Sequence, residues 1–131
     1  MSHKPKPPIP EPSIRVVMMP RDTNGEGTIF GGVILSLIDQ AAYVEAVRQA
    51  HRLYVTVAMR EVVFHQPVFV GDVLSLYCDT VHFGRTSLTI RVRVCARRRT
   101  DPDQDAKVTE AEVVFVSVDD SGKPVPVFAE N

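Results

Sequence analysis

The chain has 131 residues, 44% of them apolar and 24% charged, with 15 basic against 16 acidic side chains and a net charge of −1. That is one globular domain's worth of chain, long enough to bury a core without a disulfide or metal staple. The charge balance argues against nucleic acid as a partner, and no apolar run reaches the roughly 18–20 residues of a membrane span. No secretory signal pattern opens the chain, and Cys78 and Cys95 stand singly inside alternating runs, without metal-ligand spacing. A cytoplasmic protein with no membrane, metal or nucleic-acid partner is the expectation.

In chain order, residues 2–12 carry five prolines and read as an extended, disordered leader. One domain is expected over residues 13–131. Ser13 to Met19 reads as a short strand stopped by Pro20, with Met18 and Met19 suited to core packing. A polar loop follows from Arg21 to Gly27. From Ile29 to about Ala50 the pattern becomes helical, with Thr28 or a neighbour as cap and Arg48, His51 and Arg52 suiting the C-terminal end. Downstream the chain alternates with period two: Tyr54 to Phe64, Val73 to Phe83 after the Val70–Gly71–Asp72 turn, Thr86 to Arg98, and Val108 to Val118. The Arg97–Arg98–Arg99 cluster and the acidic stretch at Asp101, Asp103 and Asp105 read as a solvated hairpin end.

The order β–α–β–β–β–β is of the α+β class. From Thr28 to Val44 the helix has a single charged residue, Asp39, and apolar side chains surround nearly its whole circumference, so it should be buried on most sides. An antiparallel sheet of about five strands wrapped around one long central helix meets that demand, which is the hotdog fold. One such sheet cannot enclose the helix fully, so a homodimer is expected.

Asp39 is the candidate catalytic residue. A carboxylate among Leu35, Ile38, Ala42 and Tyr43 is costly unless it is hydrogen-bonded or opens into a cleft. Two features point to chemistry. Gly31 and Gly32 at the helix entrance leave the first-turn N–H groups open to a substrate, where the positive end of the helix dipole favours an oxyanion. Asn24, in the preceding loop, offers a neutral donor and acceptor. Asp39 lies seven residues beyond Gly32, about 10 Å along a helix at 1.5 Å per residue. One bound carbonyl does not reach both groups of one helix. Antiparallel helices of two subunits would set Asp39 of one against the glycine turn of the other, making two composite sites per dimer.

The run Asn24-Gly25-Glu26-Gly27-Thr28-Ile29-Phe30-Gly31-Gly32, with Asp39 seven residues on, closely resembles the acyl-CoA hydrolases of the hotdog superfamily, of the brain acyl-CoA hydrolase type and its small bacterial relatives. Val55-Thr56-Val57-Ala58, Phe64, Pro67-Val68, Val70-Gly71-Asp72, Gly84-Arg85-Thr86-Ser87-Leu88, Glu110-Ala111 and Gly122-Lys123-Pro124 extend the resemblance from Met18 to Val127. It implies a thioesterase that converts acyl-CoA and water into a carboxylic acid and free CoA. Asp39 would be general base or nucleophile, assisted by Asn24 from the other half of the site, and Gly31 and Gly32 would supply the oxyanion contact. Trimers of hotdog dimers, hence a homohexamer, are implied, with CoA as part of the substrate and no cofactor or metal.

In the same resemblance Gly84, Arg85, Thr86 and Ser87 lie near CoA, where backbone amides and the guanidinium suit phosphate oxygens. Thr56 and Phe30 are candidates for contact with the acyl group, with Tyr43, Met59 and Phe64 as further lining. His65 is a strand-end residue within reach of a phosphate or simply exposed. A hotdog hydratase or dehydratase would want a His paired with a carboxylate, and no His lies on the helix before His51. The alternative of another class is a non-catalytic acyl-CoA-binding hotdog sensor.

Overall fold

The computed structural model of the chain describes residues 4–130. Five strands and one long helix follow one another as β1 (Ile14–Val17), α1 (Gly31–Gln49), β2 (Leu53–Phe64), β3 (Val73–Phe83), β4 (Ser87–Arg98) and β5 (Asp101–Val118), with a single 3-10 turn at Pro20–Asp22. The strands form one antiparallel sheet in the order β1-β3-β4-β5-β2, so that β1 and β2 are its edges. The helix lies across it, packed chiefly on β3 and β4.

The period-two pattern of β4 decides how the layers meet. Leu88, Ile90, Val92 and Val94 are fully buried and face the helix together with Leu74 and Leu76 of β3 and Val113 and Phe115 of β5. Ile34, Ile38, Ala41, Ala42 and Ala46 are the helix's contribution. The alanines bring the helix backbone close to the sheet, and each fully buried aliphatic side chain stabilises the fold by about 1.5–3 kcal/mol. This is the architecture expected from the pattern of elements.

Several local expectations are corrected. The helix is buried on one face only within the protomer; Phe30, Tyr43 and Val44 are exposed on the other. Its N-cap is Phe30, and neither Thr28 nor any other side chain caps it. Met18 is buried, whereas Met19 is exposed, because the chain turns outward at Pro20. The acidic stretch at 101–105 is the exposed start of β5, paired to β4 through Arg97↔Asp105 and Arg98↔Asp101, and the Arg97–Asp105 charge pair across the ladder at 3.0 Å favours the strand. Arg97 and Arg99 are exposed as expected, whereas Arg98 is half-buried, donating to the Pro67 carbonyl at 2.9 Å and lying over the Phe69 ring. Residues 4–12 carry no helix or strand, yet Lys6 and Pro7 are hydrogen-bonded to the end of α1.

Candidate active site

Asp39 sits at the middle of α1 on the flank that faces β2. Thr56 Oγ1 donates to Asp39 Oδ1 at 2.8 Å, tying the carboxylate to the edge strand. Asp39 is half-buried and Thr56 exposed, so the pair opens to the outside of the protomer and is not sealed among apolar neighbours. The strand threonine supplies the hydrogen bond that a carboxylate on this helix needs.

At the other end of the helix, Gly31 and Gly32 open its first turn. Among the described residues no acceptor meets either N–H, and the first bonded amides of the helix are those of Val33 and Ile34, both to the Phe30 carbonyl. With no cap side chain, these donors and the positive helix end face outward. A Cβ on Gly32 would meet nothing within 4 Å, whereas one on Gly31 would touch the Phe64 ring at 3.4 Å. A cavity of about 310 Å³ adjoins this turn, lined by Thr28, Gly31, Ile34, Phe64, His65 and Pro67 among others. Phe64 therefore lies at the helix entrance, and His65 lines the cavity while its Nε2 lies 3.4 Å from Glu110 Oε2.

Asn24 is engaged within its own loop. Its Nδ2 donates to Thr28 Oγ1 at 2.7 Å and its Oδ1 accepts from the Glu26 N–H at 2.9 Å. These bonds hold the loop that leads into Phe30 and the glycines, and the Phe30 N–H bonds to the Asp22 carbonyl of the 3-10 turn. Phe30 itself is 53% exposed beside the glycine pair. Within one protomer no hydrogen bond joins Asn24 or the glycine turn to Asp39.

The Gly84–Ser87 segment is a tight turn between β3 and β4, closed by the Gly84 N–H on the Ser87 carbonyl at 2.9 Å. A Cβ at Gly84 would meet the Ser87 hydroxyl, which would have to rotate away. The Arg85 guanidinium points to solvent and pairs with Glu130 at 3.0 Å, while the Arg85 and Thr86 carbonyls accept from Val127 and Ser117. The C-terminal tail thus fastens this turn from behind.

A second carboxylate on the helix lies outside the expected site. Glu45, one position past the stretch in which Asp39 stood alone, is 1% exposed and is the buried carboxylate of the helix. Arg48 meets it at 2.8 Å, and Gln49 and Thr80 donate to its Oε2 at 3.2 and 2.9 Å. The spacing Glu45, Arg48, Gln49 on an otherwise apolar face was the available signal.

The thioesterase superfamily model matches residues 26–102 of the chain. An uncharacterized acyl-CoA thioester hydrolase of Zymomonas mobilis subsp. mobilis is 42% identical over 124 residues, covering 95% of this chain and 83% of the relative. The acyl-CoA thioester hydrolase YciA of Salmonella typhimurium is 40% identical over 116 residues, 87% of each chain. Among solved structures, a hexameric hotdog fold thioesterase of Campylobacter jejuni superposes with a TM-score of 0.84 at 42% identity, covering 91% of this chain and 90% of that one. The glycine-opened helix, the half-exposed carboxylate and the sheet order thus stand in a chain that belongs to the thioesterase superfamily, as a hotdog-fold member of its acyl-CoA thioester hydrolases.

Proposed function

We propose that this thioesterase hydrolyses acyl-CoA to a carboxylic acid and free CoA, with Asp39 as general base, in sites shared between two subunits. The observation that carries the reading is the separation of the two halves of the chemistry on one helix. Asp39 is held on the β2 flank by Thr56, while the unpaired N–H groups of Gly31 and Gly32 open at the helix entrance. A two-fold pairing of antiparallel helices brings the carboxylate of one protomer to the glycine turn of the next.

There the thioester oxygen sits on the glycine N–H groups. Thr56 occupies one carboxylate oxygen of Asp39 and leaves the other to take a proton from water as the water oxygen bonds to the carbonyl carbon. Negative charge moves to the oxygen held by the N–H groups and the helix end. When the intermediate collapses, the C–S bond breaks and the thiolate leaves without a strong general acid, because a thiol is far more acidic than an alcohol. Asn24 completes the site from the loop before the glycines. Phe30 and Phe64 line the acyl side, and Gly84, Arg85, Thr86 and Ser87 hold the CoA phosphates.

The surface supports the assembly. Leu53, Val55 and Val57 on edge strand β2 and Tyr43 and Val44 on the helix are exposed, apolar surface of the kind a second copy covers. The hexameric state of the Campylobacter enzyme supports three such dimers. No described helix is long and apolar enough to cross a membrane, and free Cys78 and Cys95 support a reducing, cytoplasmic setting.

Thiol release from acetyl-, butyryl- and palmitoyl-CoA tests the function, with Asp39→Ala as control. Release by the native chain and its loss in the variant are expected. Binding without release at any chain length would make the protein an acyl-CoA sensor. A single turnover in oxygen-labelled water then tests the general base, since label in Asp39 would make it the nucleophile.

A further inference from the structure

The proline-rich leader meets the end of α1 through the backbone of Lys6 and Pro7. Pro5, Pro7 and Pro8 have no N–H, so within residues 5–8 the backbone offers a single donor, that of Lys6. Preceding Pro7, Lys6 is confined to extended conformations. An extended residue can exchange both an N–H and a C=O bond with one strand neighbour, and a carboxamide presents the same acceptor and donor side by side. Gln49 does this. Its Oε1 accepts from the Lys6 N–H at 2.7 Å, and its Nε2 donates to the Lys6 carbonyl at 3.0 Å.

The carboxamide is set for this task from beneath. Gln49 is 2% exposed, and its Nε2 also faces Glu45 Oε2 at 3.2 Å. A carboxylate only accepts, so Glu45 dictates which end of Gln49 turns inward and leaves Oε1 for the leader's N–H. Arg48 holds Glu45 and extends Nη2 to the Pro7 carbonyl at 2.9 Å. Pro5, Pro7, Pro8 and Phe83 wall a cavity of about 310 Å³ over this polar floor.

We infer that Glu45, Arg48 and Gln49 build a docking site for an extended proline–X–proline segment, and that the chain's own residues 5–7 occupy it. The site reads backbone at the middle position and proline on either side; the side chain of Lys6 takes no part in these contacts. It thereby fastens the leader to the C-terminal end of α1, at the opposite end from Gly31. The site is independent of the thioesterase mechanism.

Hydrogen-exchange mass spectrometry on the full chain tests it, read at the Lys6 amide. That amide should exchange at least about tenfold more slowly than in a free chain, as expected for a retained hydrogen bond. Lys6→Ala should keep the protection, and Gln49→Leu should abolish it. Free-chain exchange at Lys6 in the native protein overturns the inference, as does protection that survives Gln49→Leu. Lys6→Pro removes the donor without touching the core. It should speed cleavage after Pro8 by a proline-specific endopeptidase about tenfold, by the same loss of a hydrogen bond, and an unchanged cleavage rate also overturns the site.

Discussion

The Thr56 hydroxyl and the Asp39 carboxylate, 17 residues apart in the chain, meet at 2.8 Å and join the outermost strand to the middle of the helix. The bond fixes the rotamer of a carboxylate that is otherwise free to swing toward solvent. Thr56→Val should lower kcat about tenfold or more, with KM little changed, since a hydrogen bond to a charged group contributes roughly 1.5–3 kcal/mol. Thr56→Ser should restore most of it. Equal kcat in Thr56→Val and the native enzyme would remove Thr56 from the machinery.

Gly32 is not required by packing within its own protomer, because a Cβ there meets nothing within 4 Å. Gly32→Ala should leave the melting temperature no lower than native, as alanine is favoured over glycine in a helix by about 0.5–1 kcal/mol. Activity should nevertheless fall about 100-fold, the order of loss expected when a reacting group is displaced by about 1 Å. A lowered melting temperature with full activity would assign the glycine to subunit packing instead.

Sharing of the site has its own test. Gly32 is the second residue of α1, where proline is tolerated and removes only an N–H that has no partner in the helix. Gly32→Pro and Asp39→Ala chains should each be inactive alone. Mixed dimers should recover up to about one working site, as complementary halves come together. Persistent inactivity in the mixture would place both groups in one protomer's site.

Val57 falls in the irregularity of β2, where the register with β5 shifts between Thr56 and Ala58, so it has no ladder partner to lose. It is 56% exposed on an edge strand. Val57→Asp should shift the protein from its oligomer to monomers in size-exclusion chromatography coupled to light scattering, and thioesterase activity should go with the assembly. An unaltered oligomer would exclude this face from the interface.

Buried thiols and a buried phenol make stability fall at alkaline pH, Cys95 among them in direction. Burial pushes the Cys78 thiol up to about 12 from 9.0. Burial likewise raises the Tyr54 hydroxyl to about 12 from 10.0; that hydroxyl donates to the Ala50 carbonyl at 2.7 Å. Between pH 9 and 12 the unfolded chain therefore releases protons that the folded chain keeps, and stability falls as pH rises. Urea midpoints should drop across that window, less steeply in Cys78→Val. A slope identical in the variant would show that the thiol stays exposed.

Much of this molecule was legible before any coordinates. Leu88, Ile90, Val92 and Val94 alternate in the chain and are buried as a set in β4, because a strand's side-chain period admits no other arrangement against a helix. The run at 101–105 is the exposed hairpin end that was expected, but it is laddered as the start of β5 although its residue types favour turns, with Arg97 meeting Asp105 across the strands. Glu45 was missed. Its burial depends on Thr80, 35 residues away, and on the leader, neither of which a helical pattern displays.

What the chain determined unaided was the order of elements, the apolar face of β4, and the glycine pair and carboxylate seven residues apart, all properties of local spacing. What only the folded molecule decided was which groups meet: Thr56 with Asp39, Glu45 with Thr80, and Lys6 with Gln49. Each of those contacts joins segments distant in sequence, and a hydrogen bond of about 3 Å depends on the crossing of helix and sheet, to which periodicity is blind.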